Sequence, residues 1–117
     1  MNFRRIVPDP LRPDLVLAWN EGDREIVGIW RPQQSAKLDR ILAEGSLTGN
    51  SVLSLRVGNF EQLLQPIPLL IFATNALPFD LHLAVIDPAT ELNIRLTLNG
   101  KRGSVSFWFE RTVKESR

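Results

Sequence analysis

Leu92-Asn93-Ile94-Arg95-Leu96-Thr97-Leu98-Asn99-Gly100-Lys101-Arg102-Gly103-Ser104-Val105-Ser106-Phe107 is the stretch whose reading decides the fold. Apolar residues recur at every second position on both sides of Asn99-Gly100, the period of a strand with one buried face. Asn-Gly is a strong hairpin signal, because both residues tolerate a left-handed backbone. Counted outward from that turn, the register pairs Leu96 with Gly103, Ile94 with Val105 and Leu92 with Phe107. A slip of a single residue would turn every apolar side chain to the wrong face.

Upstream, Asp80–Ile86 carries the same alternation. The loop Asp87-Pro88-Ala89-Thr90 sets Val85 against Leu92, Leu83 against Ile94 and Leu81 against Leu96. The spacing therefore predicts a C-terminal three-stranded meander over Asp80–Ile86, Glu91–Leu98 and Ser104–Arg111. On its other face stand Asp80, His82, Ile86, Glu91, Arg95 and Trp108, with His82 opposite Arg95 and Trp108 opposite Glu91, near Ile86.

Further upstream, Asp14–Asn20 and Arg24–Trp30 read as a hairpin closed at Gly22-Asp23. Leu15, Leu17, Trp19 and Ile26 occupy one face, and Val16, Ala18, Val27 and Ile29 the other. A hairpin that is apolar on both faces is covered twice or lies at an interface. Ser35–Glu44 reads as the one amphipathic helix, with Ser35 as N-cap, Leu38, Ile41 and Leu42 on one face, and Gly45 as the stop. Ser51–Val57 and Leu69–Thr74 read as strands, with a short helical turn at Asn59–Gln62 between them.

Together these elements predict an α+β class: a mostly antiparallel, curved sheet of about six or seven strands with one amphipathic helix packed on it. The chain reads as one domain over residues 1–117, with an extended N-terminal arm at 1–13 broken by Pro8, Pro10 and Pro13, and a frayed tail at 112–117. The expected core comprises Leu15, Leu17, Trp19, Ile26, Leu38, Ile41, Leu42, Val52, Leu55, Leu81, Leu83, Val85, Ile94, Leu96, Val105 and Phe107.

Composition narrows the function. The 117 residues carry 14 basic and 13 acidic side chains, a net charge of +1, so no long-range field draws nucleic acid or anionic lipid. Cysteine is absent, which removes disulfides, thiolate nucleophiles and Cys-based zinc sites. No run approaches a membrane span and no secretory leader is recognisable, so the reading is a cytoplasmic chain with no membrane partner. His82 is the single histidine; with Asp80 it offers one acid–base pair, read instead as a surface histidine beside Arg95. One histidine and one aspartate are too few for a metal site, and no phosphate-cradling or nucleophile-elbow motif is present.

The expectation is thus a non-catalytic protein-interaction or assembly module with no cofactor, self-associating as a homodimer or binding a protein partner. Its contact residues are Trp108, Ile86, His82, Arg95 and Glu91, since a tryptophan beside polar groups suits an interface anchor. The alternative is a small-ligand receptor with a pocket between helix and sheet.

Overall fold

The computed structural model describes residues 3–47, 51–74, 81 and 83–114. These form strands β1 (Phe3–Ile6), β2 (Leu15–Trp19), β3 (Glu25–Trp30), β4 (Ala36–Gly45), β5 (Val52–Val57), β6 (Phe60–Glu61), β7 (Ile67–Pro68), β8 (Leu92–Thr97) and β9 (Gly103–Lys114), with a 3-10 turn at Leu69–Phe72. Two antiparallel sheets result. In the first, β9 is central, with β4 along one edge and β1 and β2 sharing the other. In the second, β8 is central between β3 and β5, and β6 and β7 share the far edge of β5.

The period-two reading holds for both central strands. Leu92, Ile94 and Leu96 of β8, and Val105, Phe107 and Phe109 of β9, are all buried in one core drawn from both sheets. Trp30 on β3 reaches across to Phe109, with ring centroids 4.9 Å apart. Each of these large side chains contributes about 1.5–3 kcal/mol by leaving water. The arrangement is a β-sandwich, in which each strand presents one face to the core.

The predicted pairings are corrected. Asn99-Gly100 closes no hairpin: β8 lies in the second sheet and β9 in the first. Gly100 takes φ +85° while no non-glycine among the described residues, Asn99 included, has positive φ, so the two-residue turn that requires both is not formed. Leu96 lies instead between Ile26 and Leu53, Ile94 between Gly28 and Leu55, and Leu92 between Trp30 and Val57. The predicted hairpin over Asp14–Trp30 is divided in the same way, with β2 on β9 and β3 on β8. The two crossings run side by side, since Gly22 N–H donates to Gly100 O (2.7 Å) and Trp19 Nε1 to Lys101 O (2.8 Å). Alternation fixes which face is buried, and apolar partners were equally available on other strands.

The first predicted meander strand is corrected as well. Of Asp80–Ile86, Leu81 and Leu83 are buried, Val85 is exposed, and Ile86 makes an isolated antiparallel bridge to Ala36. Asp80 and His82 lie outside the described residues.

No helix packs on either sheet among the described residues, so the α+β class gives way to an antiparallel β-sandwich. The predicted helix is strand β4, and a bulge explains the misreading. The register against β9 shifts between Leu38 and Arg40, leaving Asp39 as the extra residue. The inward set is therefore Ala36, Leu38, Ile41 and Ala43, and the step of three from Leu38 to Ile41 imitates a helical period. Thr112 Oγ1 donates to the bulged Asp39 carboxylate at 2.8 Å. Asn59–Gln62 is likewise not helical but contains β6, while Leu69–Thr74 is not a strand but contains the 3-10 turn. In the arm, residues 3–6 pair with β9, and in the tail, residues 112–114 belong to β9.

Two glycines are fixed by close approach. A Cβ on Gly28 would sit 2.6 Å from a Leu17 methyl, and one on Gly45, at φ +133°, would sit 2.5 Å from the Ser104 carbonyl oxygen. Gly28→Ala is expected to cost about 1–3 kcal/mol, because a leucine end can shift. Gly45→Ala should cost more, because the obstacle is backbone and the φ is left-handed. Urea unfolding of both variants measures the order, and a smaller loss at Gly45 would contradict this packing.

Candidate functional site

The predicted contact residues do not form one patch. Ile86 is fully buried (0% exposed) and belongs to the core, a correction that follows from its bridge to Ala36 on β4. Trp108 lies on the outer face of the first sheet, directly opposite Leu42. Glu91 and Arg95 lie on the outer face of the second sheet, across the sandwich from Trp108. His82 is outside the described residues.

Trp108 is engaged within the chain. Val7, Pro8 and Pro10 run over it, and with Leu42, Glu44, Thr74 and Glu110 they bound a groove of about 220 Å³. Its indole Nε1 donates to Asp9 O at 3.1 Å. Beside it, the nearly buried Glu110 carboxylate accepts from Arg5 at 2.9 Å and faces Arg40 at 3.6 Å. Prolines shape this segment, because fixed φ and a missing donor prevent it from continuing β1 as a strand. The arm thus latches onto the sheet by one indole bond and one carboxylate between two arginines.

The opposite situation holds at β3. Among the described residues β3 pairs only with β8, so its other edge is open. The edges at β4 and β5 are better covered: Ala73 and Ile86 bridge to β4, and β6 and β7 line β5. Arg24 lies opposite Leu98 in continuation of the β3–β8 register, and Leu98 N–H donates to Arg24 O at 2.8 Å. That bond sets the phase, because antiparallel residues alternate between bonding their partner and facing away. Ile26, Gly28 and Trp30 turn their backbone groups toward β8. Glu25, Val27 and Ile29 turn theirs outward.

The side chains of those outward-bonding residues stand on the outer face, where Val27 is 44% and Ile29 52% exposed. The strand carries no proline, no lysine and no register shift, the devices that normally blunt an edge. Charge is confined to its ends. Glu25 pairs with Arg95 at 3.2 Å, and Arg31, one residue past β3, pairs with Glu91 at 2.8 Å. Two of the predicted contact residues, Arg95 and Glu91, therefore stand one strand behind this edge. Strand β2 is the neighbouring edge on the same side, since Leu17 and Leu15 pack on Gly28, and its Val16 is exposed.

The sequence signal for this edge was the apolar second face of residues 16–29, which had no internal use. The pairing phase was not readable, because it depends on the contact between Arg24 and Leu98. Among the described residues no cluster of three or more His, Cys, Asp or Glu is placed to hold a metal, and no buried side-chain polar atom lacks a hydrogen bond. No described helix is long and apolar enough to cross a membrane. Comparison with family models, curated proteins and solved structures returned no match for this chain.

The arm latch is testable. Arg5 is largely exposed, so Arg5→Ala should change global stability by under about 1 kcal/mol. It should nevertheless speed chymotryptic cleavage after the exposed Leu11, because the arm loses one of its ties. Unchanged cleavage with an unchanged urea midpoint would contradict the latch.

Proposed function

We propose that this chain is a non-catalytic interaction and assembly module that works through the open β3 edge. The observation that supports the reading is the outward row of backbone donors and acceptors at Glu25, Val27 and Ile29, flanked by exposed apolar side chains. Such a row is a template for one more strand, since main-chain bonds supply affinity and alternate side chains supply selectivity. The two apolar residues expected at the contact are engaged within the chain, Trp108 by its bond to the arm and Ile86 in the core. A ligand pocket between helix and sheet has lost its premise, because β4 stands where that helix was predicted.

Val27→Pro separates the edge from the fold. The Val27 N–H points away from β8, so proline there removes an outward donor and leaves the β3–β8 bonds in place. Val27→Lys tests the same edge by charge, without touching the backbone. Light scattering across a concentration range should show wild type rising above the 13.3 kDa of one chain, and both variants remaining near it. Wild type that stays at the single-chain mass, or variants that assemble as wild type does, would overturn the proposal.

A further inference from the structure

We infer that the strand added to β3 is β3 of a second copy of this chain, paired antiparallel about a two-fold axis at Gly28. This rests on the edge reading proposed above and deepens it by naming the partner and the register. A two-fold contact uses the same patch on both copies, so the patch must complement itself. The backbone phase restricts the choice, because only residues whose bonding groups face outward can exchange hydrogen bonds across the axis: Glu25, Val27, Ile29 and, in continuation, Arg31.

Placing Gly28 opposite Gly28 of the partner subunit satisfies every position. Val27 then bonds to Ile29 of the partner subunit, and Ile29 to the partner's Val27, an apolar pair on the outer face at each side of the axis. Glu25 falls opposite the partner's Arg31, acid against base, at both ends. Moving the register by two residues in one direction sets Glu25 against Ile29 of the partner subunit. Moving it in the other direction sets Val27 against Arg31 of the partner subunit. Either shift sets a charge opposite an apolar group and gives up the acid–base pairs, which makes it the weaker register. Gly28 also suits the axis, since a non-bonded antiparallel pair brings the two Cα atoms closest.

The charges behind the strand extend this match. Arg31 already holds Glu91 at 2.8 Å, and Glu25 already holds Arg95 at 3.2 Å. In the proposed register these two intramolecular pairs join end to end. The row becomes Glu91, Arg31, then Glu25 of the partner subunit and the partner's Arg95, with signs alternating throughout, and symmetry repeats it at the other end. Arg31 and Glu25 retain enough exposure to serve a second neighbour. The adjacent edge β2 has no such complement: it is flanked by Asn20 and by Asp14, whose carboxylate is already held by Arg111 and the Phe109 N–H.

Charge reversal with mixing tests the register. Glu25→Arg and Arg31→Glu each set like charges against one another at both ends of a self-pair. Each is expected to weaken association about tenfold. An equimolar mixture of the two should recover association, because in the mixed pair every acid again faces a base. Sedimentation or light scattering reads the masses, and urea midpoints verify that both variants fold. If wild type associates but neither variant weakens it, or if mixing recovers nothing, this register is overturned while association through another surface stands. Wild type that remains a monomer at every concentration overturns both the register and the edge reading.

Discussion

The two crossings at residues 20–24 and 98–102 govern the architecture. Each takes the chain from one sheet to the other, and they are tied by Gly22 N–H to Gly100 O and Trp19 Nε1 to Lys101 O. Because β8 leads into β9 across this corner, the most regular amphipathic strands of the chain become the centres of opposite sheets. Their apolar faces then line a common core instead of one face of a shared sheet. Strands β2 and β3 divide in the same way, which leaves both as edges on one side of the sandwich. The open edge is thus a consequence of how the core is closed.

What the sequence revealed was orientation, and what it concealed was adjacency. Leu17, Trp19, Ile94, Leu96, Val105 and Phe107 point inward as the alternation required. Nothing in that alternation distinguishes a neighbour reached through a tight turn from one reached across a sandwich, since Ile94 meets apolar or small residues either way. The β4 error has a sharper cause. One bulged residue, Asp39, adds a position between Leu38 and Ile41, so a strand acquires the spacing of a helix. Ile86 was assigned to the polar face by counting along a strand that is only an isolated bridge. Of the candidate edge, the sequence singled out Arg95 and Glu91, though for a contact around Trp108, and read the apolar second face of residues 16–29 as covered twice or at an interface. The strand of the proposed contact emerged only with the register.

Magnitudes indicate the kind of association to expect. Strand addition in the proposed register offers about four to eight main-chain hydrogen bonds, each contributing about 0.5–1.5 kcal/mol net. The two apolar pairs and two charge pairs add about 0.2–1 kcal/mol each. Bringing two bodies together opposes this with about 4–15 kcal/mol. The balance is close, so association should depend on concentration and, through the charge rows, on salt. A contact of this strength would make the proposed assembly sensitive to small changes in its surroundings.

Residue-resolved amide hydrogen exchange along β3, at low and high protein concentration, tests the central claim most directly. The account predicts that Ile26, Gly28 and Trp30 are slow at both concentrations, because their N–H groups face β8. Val27 and Ile29 should exchange quickly in the dilute sample and become protected in the concentrated one. Val27 and Ile29 that exchange quickly at every concentration would contradict the account, as would protection already complete in the dilute monomer.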